Sequence, residues 1–566
     1  MKKLLFIITV CALVCCCACA EGGGTDAGEK YPEADIIALS DQEILWNGVA
    51  AGEDPACAVY LSHDVIYYED RDTYDSGNPY GEGEADERHS AEEAAAATVV
   101  NITQPGSYCL RGSLSAGQIR IDLGEEAATD PQAVVTLILD GAEISCGVAP
   151  AILFRSVYEC DNGWSTETAG PDVDTSAAGA NVIIADGSVN VINGSHVAKI
   201  YKDNADQKKL WKQDGAFYSY MSLNIGAEEA GDGVLTIIAD NEGLDSELHL
   251  TVNGGVINIY AQDDGVNTNE DGVSVTAING GSLHILGGLG AEGDGIDSNG
   301  WLVINGGTVI AMAHPAADAG LDSDMGSYIN GGTVVALGST MDWPESDSEQ
   351  VTINLQFAAR QDAGDAIVVE DTEGRIVFAY DPSEDQVASS NIRQYQGTVV
   401  SCPAFEPEAT YQLFLGGILS GVQEAGVYEP ATVTSYTDGV KQVYTGTDVR
   451  GMGGPMPGGF AGERPEAPPE GEMPQGGETP PQPPDGQAPP EGEMPQGQPP
   501  FDGMKPEGEP PQPPDGEMPQ APPDGQAPPD GEMPGFEEGE IIDTGVVSAD
   551  FYMQDKVNGF SGIRAE

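Results

Sequence analysis

The chain has 566 residues, with 93 Asp and Glu against 22 Lys and Arg, a formal charge of −71, 75 Gly and 39 Pro. That length allows two to four domains and a large core. The charge excludes nucleic-acid and anionic-membrane binders, which would be repelled unless a cation bridged the two surfaces. Scarce Lys and 7% aromatic residues also exclude a helical bundle.

Residues 1–19 read as a lipoprotein-type secretory signal: Lys2 and Lys3, an apolar run from Leu4 to Val14, then small residues. The run is too short for a membrane span. Cys19 follows Ala18 and Cys16 follows Leu13 by three, so either is the candidate lipidated residue; a plain cleaved signal is the alternative. This places the chain outside the cell, anchored to the membrane by lipid only. Residues 20–95 follow as a tether and an N-terminal β segment. Beyond the signal, Cys57, Cys109, Cys146, Cys160 and Cys402 form an odd, widely spaced set without a C-x-x-C pair, which supports no metal or redox motif; one or two unassigned disulfides are possible in an exported chain.

The central block, 96–344, is repetitive. TVNGGVINIY, AINGGSLHIL, VINGGTVIAM and YINGGTVVAL place Asn253, Asn279, Asn305 and Asn330 at spacings of 26, 26 and 25. Each unit holds a second short strand signal: EGLDSE, DGVNTN, DGIDSN and AGLDSD. A period near 25 with several short β-runs and Asn/Gly corners predicts an all-β chain built on a right-handed parallel β-helix. One Asn-Gly-Gly alone would read as a hairpin turn; four in register favour a coil corner with a stacking Asn. From 345 to 447 alternating runs with turn signals predict a small antiparallel β-sandwich, completed by the strand-like 544–562. Between them, 451–541 holds 26 of the 39 prolines and reads as a disordered Pro/Gly/acid-rich insert.

Aligning the second strand of each unit gives columns of oxygen ligands around Gly243, Gly265, Gly295 and Gly320. Before the glycine stand Glu242, Asp264, Asp294 and Ala319. Two residues after it come Asp245, Asn267, Asp297 and Asp322, and two further on Glu247, Asn269, Asn299 and Asp324. Leu244, Val266, Ile296 and Leu321 have the opposite phase, so if they fill the interior the later columns face outward. Stacked strands lie about 4.7–4.9 Å apart. Two carboxylates at that distance repel by roughly 3 kcal/mol at an effective dielectric near 20. No Lys or Arg occurs between Gln213 and Ala359. A bound cation would reverse the cost, and an all-oxygen donor set suits Ca²⁺. The richest string is DDGVNTNEDG, with Asp263, Asp264, Asn267, Asn269, Glu270 and Asp271. The alternative is ordinary Asp-Gly turn chemistry on a solvated face. Trp301 and Trp343 are candidates for stacking on sugar rings, or for packing under a loop. Lys202, in a cluster with Lys199, Lys208 and Lys209, is a candidate ligand contact or a solvated loop residue.

The strings PGSYCLRGSLSAGQIRIDL, VLTIIADNEGLDSELHLTVNGG, EGDGIDSNGWLVINGGTVIAM and AGLDSDMGSYINGGTVVALG resemble secreted bacterial carbohydrate-binding β-helix proteins. The likeness covers roughly 35–447, and FYMQDKVNGFSGI resembles that family's terminal strand. It implies a pectate-lyase-like fold, bound calcium, and binding of acidic sugars such as polygalacturonate, or of cellulose. Many relatives carry Lys where this chain has Asp245, Asn267, Asp297 and Asp322, so metal bridging matters more here. The first expectation is a monomeric, non-catalytic polysaccharide binder. The alternatives are a calcium-dependent polysaccharide lyase, which needs a base that the repeats do not supply, and a structural or adhesive stalk. Fold alone does not choose among them.

Overall fold

The computed structural model describes residues 30–67, 89–161, 163, 165–201, 209–362, 364–448 and 543–566. The expected signal with Cys16 and Cys19, Lys202, and the insert 451–541 lie outside these residues. The described chain is nearly all β, with helix confined to short segments such as Ala91–Ala96 and Gln386–Ser390. No helix among the described residues is long and apolar enough to cross a membrane.

Three parallel ladders organise the repeats. The first joins Ala180–Ile184, Leu223–Ala227, Leu250–Val252, Val275–Ile278, Trp301–Ile304 and Gly326–Ile329. The second joins Val189–Gly194, Val234–Ala239, Val256–Ala261, Ser282–Leu286, Thr308–Met312 and Thr333–Gly338. The third joins Thr98–Ile102, Gly117–Asp122, Ile152–Ser156, Gly215–Ser219, Glu242–Ser246 and Val266–Thr268, then continues as single bridges through Ile296 and Leu321. Each repeat therefore contributes one segment to each ladder. Alternation in a strand sends every second side chain inward, and the inward set is aliphatic: Leu250, Ile257, Leu283, Leu302, Ile304 and Val309 share one buried core with Leu244, Val266, Ile296 and Leu321.

The corner between the first and second ladders explains the Asn-Gly-Gly motif. Asn279 Nδ2 donates to Asn253 Oδ1, Asn305 Nδ2 to Asn279 Oδ1 and Asn330 Nδ2 to Asn305 Oδ1, each at 2.9 Å. The second glycine of each motif lies in the left-handed region, with φ of 94° at Gly255, 88° at Gly281, 83° at Gly307 and 86° at Gly332, where a Cβ would be strained.

The outer faces of the ladders differ. On the second, Tyr260, Leu286, Ile310, Met312, Val335 and Leu337 are apolar and join a second core under the antiparallel strands. Those strands include Thr352–Asp362, Ile367–Asp371, Ile376–Tyr380, Gln394–Ser401, Thr410–Leu415 and Val440–Asp448. Val557–Ala565 pairs parallel to Thr352–Asp362 and antiparallel to Val440–Asp448. The five cysteines 57, 109, 146, 160 and 402 are all free thiols. Burial pushes Cys109 and Cys402 up to about 11 and Cys160 to about 12, so they stay protonated at neutral pH.

Candidate functional site

The third ladder carries the acidic columns, and its glycines set how closely successive repeats approach. A Cβ on Gly265 would come 2.6 Å from the Gly295 carbonyl, and one on Gly320 would come 2.6 Å from the Leu337 nitrogen. Only glycine lets the backbone approach this closely. The residues between the acids face inward and form a hydroxyl column: Thr268 Oγ1 lies 2.8 Å from Ser298 Oγ and 3.1 Å from Thr276 Oγ1, and Ser323 Oγ lies 2.8 Å from Ser327 Oγ. That internal network holds the strand carrying the acids in register.

The column before the glycine is knitted rung to rung. The Asp294 N–H donates to Asp264 Oδ1 and the Ala319 N–H to Asp294 Oδ1, both at 2.6 Å. The column ends there, because position 319 has no carboxylate. In the next column Asp245 pairs in register with Asn267. The bridges of Val266 with Ile296 and of Ile296 with Leu321 carry it on to Asp297 and Asp322. Asp294, Asp297 and Asp322 each present an oxygen, and the three oxygens lie within 4.8 Å of one another. Oxygens on opposite sides of one Ca²⁺ would be about 4.6–5.2 Å apart, twice the usual bond length, so this trio fits around one ion.

Burial and repulsion from neighbouring acids raise Asp263, Asp264, Asp294 and Asp297. Desolvation, then the neighbouring Asp322, pushes Asp294 up to about 8; desolvation, then Glu242, pushes Asp263 to about 7. Asp264 and Asp297 move the same way for the same reasons, with Glu242 the largest charge acting on the first and Asp322 on the second. Each carboxylate here is destabilised by the others, the electrostatic pattern that a cation relieves.

The expected ligands divide into groups. Asp264, Asp294, Asp297 and Asp322 come together. Asp342, which the repeat pattern did not include, joins them: its Oδ2 accepts the Ser323 N–H at 3.3 Å, and burial beside Asp322 raises it as well. The DDGVNTNEDG string is not the densest carboxylate site. Its amides are spent within the face: Asn267 Nδ2 donates to Glu242 Oε1 at 3.1 Å, and Asn269 Nδ2 to Asp245 Oδ1 at 2.6 Å. Asn267 Oδ1 is buried with no hydrogen-bond donor, and it stands in the column between Asp245 and Asp297. Asn299 Nδ2 donates to the Asn269 carbonyl and to Asp271 Oδ1. Glu270 is half-buried, whereas Asp271 and Asp324 are exposed at the edge. Arg393 is a second contributor from outside the repeats: its guanidinium donates to the carbonyls of Gly287 and Gly288 at 2.6 and 2.7 Å. It brings a half-buried guanidinium to the turn whose Gly288 N–H bonds the Asp263 carbonyl.

Both tryptophans prove to be packing residues. Trp301 is 7% exposed and packs with Val275, Val303, Ala169 and Val173. A loop contributed more than a hundred residues earlier covers it, so it is not a sugar platform. Trp343 is half-buried, and its ring lies against Gly559 of the terminal strand, where a Cβ would overlap it. What Trp301 supports is a wall. The segment Pro171–Ser176 borders a groove of about 760 Å³ on the first ladder, with the Asn253 to Asn330 ladder as the opposite bank. Thr175 Oγ1 ties the wall down, 2.7 Å from Thr251 Oγ1 and donating to Asn224 Oδ1 at 2.8 Å. The floor runs in register through Asn181, Asn224, Thr251, Ala277, Val303 and Tyr328. Tyr328, half-buried, is the aromatic that lines this groove, and its single short strand gave no signal separating it from a core residue.

A family model described as carbohydrate-binding domain-containing protein matches residues 96–401. A carbohydrate-binding domain-containing protein of Acetivibrio thermocellus is 30% identical over 163 residues, 29% of this chain and 45% of the relative, so the match spans less than half of that relative. Among solved structures, a polysaccharide lyase-like protein from C. thermocellum, studied as a gadolinium derivative, is similar at 18% identity and a TM-score of 0.28. That match covers 53% of this chain and 92% of the other.

Proposed function

The chain belongs to the carbohydrate-binding domain family that spans its residues 96–401, and we propose that it holds an acidic, polygalacturonate-like polysaccharide at the cell surface through bound Ca²⁺. In this reading the three ladders are the faces of a right-handed parallel β-helix; one segment per ladder in each repeat of about 25 residues supports it. The protein acts as a monomer tethered by a lipid on Cys19 or Cys16, as the signal-like N-terminus supports. The observation that carries the calcium assignment is the Asp294, Asp297 and Asp322 trio, with oxygens within 4.8 Å, where burial and the charge of Asp322 raise Asp294 and Asp297. Asp264, Asp342 and the buried Asn267 Oδ1 supply further oxygen donors nearby. Charge makes the ion necessary to the binding as well as to the site. A chain of −71 and a polyuronate repel each other, and a divalent ion held by only part of its coordination sphere is the bridge that chemistry offers. The groove bordered by Pro171–Ser176 gives an extended polymer a second surface on the same repeats, lined mainly by amides and hydroxyls, with Asp172 and Asp174 on its wall.

The test is retention of the full chain on immobilised polygalacturonate with calcium or with EDTA. Retention with calcium, its loss in EDTA, and its loss in an Asp297→Asn/Asp322→Asn variant are expected. Retention indifferent to EDTA would sink the calcium bridge. Growth of unsaturated-product absorbance during incubation would replace the binder with a lyase.

A further inference from the structure

On the second ladder a separate constellation joins Ser282, His284 and Asp385, and we propose that it is a serine-hydrolase triad that removes small acyl esters from polysaccharide hydroxyls. Ser282 Oγ lies 2.8 Å from His284 Nε2, and His284 Nδ1 lies 3.2 Å from Asp385 Oδ2. The first two alternate on one strand, Ser282–Leu286, so their side chains share a face. The third arrives from 101 residues further on, at the N-cap of Gln386–Ser390. Chemistry fixes the tautomer. With Asp385 Oδ2 as acceptor, Nδ1 carries a proton, and in the neutral imidazole Nε2 is then the acceptor for the serine hydroxyl. That is the order of roles that activates a serine: nucleophile to base, base to an orienting acid.

The acid is held as an orienting group should be. Asp385 is 1% exposed; its Oδ1 accepts the Val387 and Ala388 N–H groups at 2.8 and 3.3 Å, and its Oδ2 also accepts Tyr380 Oη at 3.2 Å. The imidazole is 2% exposed and clamped between ladder and helix. Ser282, by contrast, sits in a half-exposed row in register with Val256, Thr308 and Thr333, so the nucleophile lies at the rim. Asn258, half-exposed and beside His284 one rung back, and Thr308, beside Ser282 one rung on, place an amide and a hydroxyl about 4.7–4.9 Å along the ladder to either side. Of the two, Thr308, directly opposite Ser282, is the one placed to donate to the oxyanion. Ser282 is half-exposed on a strand surface, where a small ester carried on a long polymer can reach it.

The reaction balances with water alone. Ser282 Oγ adds to the ester carbonyl while His284 Nε2 takes its proton. The C–O bond to the sugar breaks, and the sugar oxygen leaves with that proton. Water then adds to the acyl-serine, its proton passes to Nε2, and the carboxylic acid is released as Ser282 regains its hydrogen. The small-acyl-ester chemistry stands on the triad; that the alcohol is a sugar rests on the polysaccharide reading above.

The full chain is incubated with a fluorophosphonate probe, with 4-nitrophenyl acetate and with an O-acetylated polysaccharide, alongside Ser282→Ala and Asp385→Asn variants whose melting temperatures are recorded. Probe mass on the Ser282 peptide, nitrophenolate release lost at least a hundredfold in both variants, and acetate release from the glycan are expected. Ser282→Ala, altering a rim residue, keeps the melting temperature. No label on Ser282, or nitrophenolate release unchanged in Ser282→Ala, overturns the triad. Labelling and nitrophenolate release without acetate from the glycan overturns the sugar-ester substrate, and neither result depends on calcium or on polygalacturonate retention.

Discussion

Two ladders built from the same repeats stack side chains at the same spacing with opposite consequences. At the corner after the first ladder, Asn253, Asn279, Asn305 and Asn330 bond one another in a continuous chain. On the third ladder, Asp264 and Asp294, and likewise Asp297 and Asp322, stand one rung apart, and burial with neighbouring acids raises Asp264, Asp294 and Asp297. An amide has donors and an acceptor, so a column of amides satisfies itself; an ionised carboxylate only accepts, so a column of them needs protons or a cation from outside. One repeat period of about 25 residues thus builds an edge of self-satisfied amides and an edge of crowded acids.

The strongest test of that contrast removes the acids. Calcium at a hundred times its dissociation constant is expected to stabilise the wild type by about 2.7 kcal/mol, read as a rise in melting temperature. Asp297→Asn/Asp322→Asn is expected to lose that rise and, in EDTA, to melt higher than the wild type, because two mutually repelling groups are gone. An undiminished calcium shift would place the ion elsewhere. Next in size, Gly265→Ala is expected to cost about 1–3 kcal/mol in urea titration, the usual penalty of overpacking, since its Cβ meets the Gly295 carbonyl. Asn305→Asp asks what happens when the amide edge is given an acid. With no donor left for Asn279 Oδ1, about 0.5–1.5 kcal/mol of stability should be lost, and calcium should restore none of it.

A separate test is the pH slope of the calcium-free chain. Asp263 and Asp294 titrate near 7 and 8 when folded but near 3.9 when unfolded. Between those values the folded state holds more protons, so the stability these groups contribute is present below about pH 4 and is lost as pH rises to about 8. Melting in EDTA should fall across that window, and saturating calcium should flatten the fall. A melting temperature in EDTA that rises from pH 5 to pH 8 would contradict the burial of these acids.

Repeated patterns were the readable part. The spacing of Asn253 to Asn330 announced a stacked corner because each member has the same partner in the next copy, and the phase of Leu244, Val266, Ile296 and Leu321 announced an inward row. The site was legible only as a face. Which carboxylates converge depends on where Asn267 and Asn269 send their amide protons, and that choice is made between rungs. Asp342 and Arg393 reach the face from beyond the last repeat, and the cover over Trp301 comes from Ala169 and Val173; contacts so distant in sequence leave no local period. Ser282 and His284 are two residues apart, but without the partner at Asp385 their spacing is ordinary strand alternation.

The strand Val557–Ala565 has its own consequence. It fills the slot between Thr352–Asp362 and Val440–Asp448, and Phe560 and Ile563 complete the second core. Until that stretch has been made, two strand edges remain open, so this half of the molecule closes late in biosynthesis, whatever the order in which the coils assemble. A chain shortened before residue 557 would expose both edges at once, and unpaired edges recruit other chains. Its expected fate is self-association, a failure distinct from any loss of ligand.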